Sequence, residues 1–380
     1  MTETILTDAR IVTRDDVFDG TLVVRDGRIA EIQRGSTAVP GALRLDGDYL
    51  LPGLVELHTD NLEKHLTPRP RVQWPPEAAI VAHDTLVAGC GITTVFDSVA
   101  VGDVIAGTQR RRSLEVTLTG LESAIRHRML RADHFLHMRI EVSEPDVREL
   151  FDGYKDNPLV RLVSLMDHTP GQRQYADEAA YRRNYQKRHA VDDAEYERFA
   201  THRKALAAEF SGPHRAWMTA LCRERGWPLA SHDDATLAHV AESVAAGMVI
   251  AEFPTTVEAA SAAHGAGMKV MMGAPNLVRG GSHSGNVAAA ELAGLGLVDI
   301  LSSDYYPQSL LHGAFLLARA PTGMALPDAV ATVSDIPAAA VGLDDRGRLA
   351  AGRLADMVRV QECDGLPIAR AVWREGRRVA

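Results

Sequence analysis

Cysteine is scarce in this chain of 380 residues: Cys90, Cys222 and Cys363 stand alone and far apart. Their isolation excludes a disulfide framework and a thiolate zinc site, so each is expected as a small apolar group in packing. Long apolar runs are missing too. No stretch reaches the length of a membrane-spanning helix, and MTETILTDARIV lacks the basic start and apolar core of a secretion signal. A cytoplasmic protein with no membrane partner is expected. Positive charge is in deficit, with 41 Lys and Arg against 50 Asp and Glu, which argues against a general nucleic-acid binder. Neither a fixed-period repeat nor a low-complexity tract occurs.

What is present is the balance of a globular protein with a substantial core, 46% hydrophobic and 24% charged. Residues 4–50 alternate apolar and polar positions between turn signals, as in GTLVVRDGRIAEI, and residues 347–380 repeat that character. Two β-rich ends flank a long middle in which short apolar runs alternate with helical patterns. These runs are LLPGLVELH, GITTVFDSV, HFLHMRIEV, LVRLVSLMDH, WPLASHDD, MVIAEFP, KVMMGAP and VDILSSD. The expectation is an α/β chain: a (β/α)8 barrel over 51–344, and a small β-sandwich domain formed by both termini, 1–50 and 345–380. Charged helices are expected as an insertion at 174–227, broken at Gly212-Pro213.

Ionisable residues recur at the C-terminal ends of these runs: His58, Asp60, Asp97, Glu141, Asp167, His168, His232 to Asp234, Glu252 and Asp304. In an α/β barrel that rim carries the chemistry. Strand ends are also where any chain turns from core to solvent, which accounts for one or two such residues but not for the repeated choice of His and Asp or Glu. His58, Asp60, Glu141, His168, His232 and Asp304 form the expected metal-ligand set, since zinc and similar divalent ions are held by imidazole and carboxylate together. Glu141 is a candidate bridge between two ions. Asp304 is a candidate to take a proton from the attacking water, a plain helix cap being the competing reading. Asp233 and Asp234 are expected to orient His232, while His83 and Asp84 lie on a helical pattern and are assigned to packing.

Two loops add cations. Lys64, Arg69 and Arg71 follow the first strand, and NLVRGGSHSGN supplies Arg279 and His283 among glycines that allow close backbone approach. With Arg173 in HTPGQRQY they form an expected phosphate-binding set, arginine being suited to bidentate contacts. The stretch YRRNYQKRHAVDDAEYERF carries charge without an aromatic and basic pattern for nucleic acid, and reads as a solvated helical face, a lid or a subunit contact.

The assembled motifs resemble the amidohydrolase superfamily. Within it, LPGLVELHTDN, TPRPRVQWP, VSLMDHTPGQRQ, ASHDDAT, GAPNLVRGGSHSGN and ILSSDYYP are similar to the α-D-ribose 1-methylphosphonate 5-triphosphate diphosphatase family of the carbon-phosphorus lyase pathway, nearly end to end. The resemblance implies hydrolysis of that triphosphate to the 5-phosphate and pyrophosphate, with one or two divalent ions, zinc first and manganese or iron as alternatives. It places His168, His232 and Asp304 at the superfamily's ligand and catalytic positions, and Glu252 where relatives carry a further histidine. It also implies His283 as a proton donor or phosphate ligand. His58-x-Asp60 replaces the superfamily's usual His-x-His, which leaves the number and identity of the ions open. The expected partner is a phosphorylated ribose, and a homo-oligomer is compatible with the sequence. An amidase or deaminase, and a non-catalytic assembly subunit, are the competing readings. The cationic loops speak against the first and the retained ligand set against the second.

Overall fold

The computed structural model describes residues 3–70, 72–102, 110–175, 178–189, 191–282, 285–319 and 321–380. Eight parallel strands form one sheet in sequential order: β6 (Leu54–Thr59), β7 (Ile92–Val101), β8 (Asp133–Glu141), β9 (Val160–Met166), β10 (Leu229–His232), β11 (Ile250–Glu252), β12 (Lys269–Gly273) and β13 (Ile300–Ser302). All eight runs read from the sequence carry one of these strands. Every residue of β7 is buried, as a parallel strand covered on both faces requires. Val55, Leu57, Phe96, Leu162, Ala230, Ile250, Met271 and Ile300 fill the interior, and Ala338, Val341 and Leu343 plug its lower end. A larger apolar cluster lies between the strands and the surrounding helices.

The ring closes between β13 and β6 through a parallel bridge of Thr59 with Asp304. Beneath that bridge sits Glu56, fully buried, whose two carboxyl oxygens accept from His58 N at 2.7 Å and Ser303 N at 2.6 Å. One side chain thus staples both strands of the seam. Burial, only partly offset by these donors, pushes the Glu56 carboxyl up to about 8.

The termini build a second, mixed sheet. It comprises β1 (Glu3–Val12), β2 (Val17–Arg25), β3 (Arg28–Arg34), β4 (Leu43–Arg44), β5 (Tyr49–Pro52), β14 (Met357–Cys363), β15 (Leu366–Arg374) and β16 (Arg377–Arg378). The sheet curls over its own core of Leu6, Ile11, Leu22, Ile29, Met357 and Trp373. The run LLPGLVELH, which reads as one strand, is divided at Gly53 between the two sheets. A Cβ there would collide with the Thr93 side chain, so only glycine passes.

Between β9 and β10 lie helices Glu178–His189 and Asp193–Arg225. The break expected at Gly212-Pro213 is absent, and the second helix runs straight through Pro213. Its ends are well fixed, by a capping box at Asp192 and Glu195 and by Gly226 in the left-handed region. Buried Ala200, Arg203, His214, Met218 and Cys222 hold the turns on either side of the proline. The supposedly solvated face is partly packed as well: Tyr185 stacks on Phe199 at 4.3 Å, and Tyr196 is buried beside it. Among the described residues no helix is long and apolar enough to cross a membrane.

His83 and Asp84 do lie in packing, on helix Pro76–Gly89, but as part of a buried ionic chain. Asp97 on β7 accepts from His83 Nε2 at 2.8 Å and from His134 Nδ1 at 2.7 Å, while Asp84 Oδ1 lies 3.4 Å from His134 Nε2. Burial opposes a charged imidazole, but the Asp97 and Asp84 carboxylates outweigh it and raise His134 to about 9. A raised folded-state pKa stabilises the fold fully below the unfolded value and loses that contribution as pH climbs past the folded one. Unfolding free energy should therefore decline from pH 6.5 to about 9. Asp97→Asn should flatten the decline and cost about 3 kcal/mol in denaturant unfolding; an unchanged slope would contradict the pairing.

Candidate active site

The C-terminal rim of the barrel gathers a buried set of imidazoles and carboxylates. In-register pairing of β10 with β11 sets His232 beside Glu252, and barrel closure brings His58 on β6 to the same carboxylate. Glu252, fully buried, accepts from His58 Nδ1 at 2.6 Å through one oxygen and from His232 Nδ1 at 2.7 Å through the other. Burial works against its charge, yet His58 and His232, bonded to its two oxygens, hold the carboxyl well below its ordinary value. An ionised carboxylate can only accept, so both rings carry a proton on Nδ1, and Nε2 is the nitrogen left to face a ligand. The His58 and His232 rings lie 6.2 Å apart with planes 16° from parallel.

Glu141 does the same for His168. Its Oε2 accepts from His168 Nδ1 at 2.5 Å, and its Oε1 accepts from His168 N at 3.1 Å and from Ser143 Oγ at 2.7 Å. Burial resists, but His168 outweighs it and lowers the carboxyl to about 2. The expected bridge between ions is thus occupied in orienting a histidine. His168, His232 and Asp233 offer ligand atoms within 4.8 Å of one another, and the buried Asp60 Oδ1 has no hydrogen-bond partner. An unsatisfied buried carboxylate oxygen two residues beyond His58, on a rim that also gathers His168, His232 and Asp233, fits a divalent cation.

His137 also lies near Glu252, but its Nδ1 donates to Leu57 O at 3.0 Å and its Nε2 meets Ser164 Oγ at 2.9 Å. Burial lowers it to about 3, and it serves as a neutral prop. Asp304 anchors the seam through its backbone and turns its carboxylate over Gly273, where a Cβ would lie 3.9 Å from Asp304 Oδ2 and 4.0 Å from Phe253. Phe253 in turn packs edge-on to His58 at 5.0 Å and His232 at 5.7 Å.

Hydroxyl caps steady the loops above. Thr236 accepts from His239 N and Thr256 from Ala259 N, which starts a helix a few residues after each of β10 and β11. Asp234 does not orient His232 as expected. It binds Arg173 and, at 2.9 Å, Ser243 Oγ.

That pairing removes Arg173 from the expected phosphate set. The side chain is buried, with Asp234 on Nη1 and Glu242 on Nη2 at 2.6 Å, so its charge is already neutralised. Lys64 is exposed and donates to Tyr305 O at 2.6 Å; Arg69 is exposed on its loop, and Arg279, expected on a loop, is exposed at the end of helix Ala274–Arg279. Arg71 and His283 lie outside the described residues. A cavity of about 570 Å³ opens beside the rim, lined by Asp167, Thr169, Arg173, Ser211, Arg215 and Glu242 among others.

No model of a known protein family matches the sequence. The α-D-ribose 1-methylphosphonate 5-triphosphate diphosphatase of Escherichia coli (strain K12) is 49% identical over 376 residues, 99% of this chain and 100% of the relative. The chain belongs to that diphosphatase family. Solved structures share the diphosphatase fold at much lower identity. The 5-methylcytosine deaminase of Klebsiella pneumoniae aligns with a TM-score of 0.66 at 17% identity, covering 99% of this chain and 98% of its own. The N-acetylglucosamine-6-phosphate deacetylase of Pasteurella multocida gives 0.64 at 11%, covering 99% of each.

Glu252→Gln tests what this diphosphatase rim depends on. Glutamine accepts from only one of the two Nδ1–H groups, so the other ring should turn and metal affinity should fall about 10- to 100-fold. A competitive chelator titration measures it, and wild-type affinity in the variant would refute the orienting role.

Proposed function

We propose that this enzyme hydrolyses α-D-ribose 1-methylphosphonate 5-triphosphate to the 5-phosphate and pyrophosphate, as a cytoplasmic step of phosphonate catabolism. Full-length likeness to the Escherichia coli diphosphatase supports the substrate. The observation that carries the reaction class is the pair of carboxylates, Glu252 and Glu141, holding three rim imidazoles in one tautomer.

His58, His168 and His232 through Nε2, with Asp60, Asp233 and Asp304, would hold one or two divalent ions, zinc first and manganese or iron as alternatives. Such an ion supplies Lewis acidity at neutral pH, acidifying water and drawing charge from a phosphoryl oxygen. Asp304, leaning over the rim beside Phe253, takes the proton of the attacking water as its oxygen approaches the α-phosphorus. The bond from that phosphorus to the bridging oxygen of the β-phosphate breaks, and pyrophosphate leaves with the electron pair. Lys64, Arg69 and Arg279 at the mouth, with Arg71 and His283, neutralise the departing charge, and His283 is placed in the role of proton donor. Glu141 and Glu252 keep the imidazoles fixed without touching substrate.

Incubating the purified protein with the triphosphate should release pyrophosphate rather than orthophosphate, and chelation should abolish turnover. Asp304→Asn should lower kcat by about 10²- to 10⁴-fold with KM nearly unchanged. Orthophosphate as the first product would overturn attack at the α-phosphorus.

A further inference from the structure

Strand β8 sends His137, Arg139 and Glu141 to the same face, the barrel interior, because alternate residues of a strand share a side. His137 below is held by Leu57 O and Ser164, and Glu141 above by His168. Arg139 between them has no such partner. Its Nε is buried without any hydrogen bond, and its Nη2 lies 3.5 Å from His232 Nε2. No carboxylate among the described residues pairs with it.

Arg139 is partly buried, and the guanidinium groups that are buried outright each meet a carboxylate. Arg173 has Asp234 and Glu242, Arg203 has Glu144, and Arg346 has Asp133 and Asp345. The buried rim carboxylates Glu141 and Glu252 are taken by histidines. A partly buried guanidinium with an unsatisfied Nε and no carboxylate partner has donors to offer an arriving anion. Its planar fork matches two oxygens of one phosphoryl group, and its place beside His232 Nε2 puts that group at the rim.

We propose that Arg139 binds the phosphoryl group at the rim, as the cation inside the barrel that recognises the substrate's phosphate oxygens. This rests on the phosphohydrolase reading above and names a substrate-binding residue for it. The exposed loop cations would then steer the chain of phosphates, while Arg139 fixes one phosphoryl group against the imidazoles.

Calorimetric binding of inorganic pyrophosphate and of inorganic phosphate to the metal-loaded enzyme tests it. Arg139→Met should weaken both on the order of 100-fold, and Arg139→Lys, which keeps the charge and loses the fork, by about 10-fold. Metal content and melting temperature should stay at the wild-type values in the Lys variant. Methylguanidinium added to Arg139→Ala should restore part of the binding, which a purely structural role would not allow. Wild-type affinity in a folded Lys or Met variant, or loss of binding without guanidinium rescue, would overturn the proposal. Arg139-dependent pyrophosphate binding in a protein that fails to cleave the triphosphate would overturn the hydrolase reading instead and leave this one standing.

Discussion

A single buried carboxylate, shared by two imidazoles from different strands, is the constraint on which the rim depends. Glu252 reaches His232 through the in-register pairing of neighbouring strands and His58 through closure of the whole barrel. It is therefore both a product of the fold and the group that sets the chemistry of the site. With its charge held by the rings around it, each ring has one permitted tautomer and one nitrogen left for a ligand. Glu141, three strands earlier, repeats the device for His168. Glu56 secures the seam below, bonding the backbone of His58 and Ser303 at once. Loosening the seam would move His58 away from Glu252, so fold stability and ligand geometry are coupled at this point.

The backbone at the rim is bent in the service of the same arrangement. Asp233, Phe253 and Asp304, each just past a barrel strand, have φ values of 57°, 54° and 54°, a region that non-glycine residues seldom occupy. Each is held there by a ladder bond to the next strand, Asp233 N to Glu252 O, Phe253 N to Met271 O and Asp304 N to His58 O. The ladder continues while the side chain is redirected, which is how a strained conformation persists near a functional site. Phe253 packs on His58 and His232, and the Asp304 carboxylate is brought over Gly273 beside it.

Much of this was legible in the residues. Strands buried on both faces appear as continuous apolar runs, so all eight barrel strands stood out, and His58, His168 and His232 stood out because each ends such a run. Glu252 ended a run too, but its role depends on which strand neighbours which and on His58 reaching across the closed ring. Arg139 was hidden because it lies inside a strand, where alternation alone cannot tell a barrel interior from a helix-covered face. Arg173 was misread for a related reason: its partners Asp234 and Glu242 lie far along the chain, and a cation's availability is set by its neighbours in space. Glu141 ends β8 at the rim, and both of its oxygens are taken by His168 and Ser143. Pro213 signalled a break that packing on both sides of it overrides. His283 and Arg71, expected at the phosphate site, fall outside the described residues.

The central claim is that Glu252 and Glu141 fix the rim imidazoles as Nδ1–H tautomers with Nε2 kept for ligands. Long-range nitrogen-proton NMR of histidine-labelled, metal-free protein reads this directly, with single His→Gln variants assigning each ring. The account predicts the Nδ1–H pattern for His58, His168 and His232. Protonation of Nε2 in any of the three, with Nδ1 unprotonated, would contradict it.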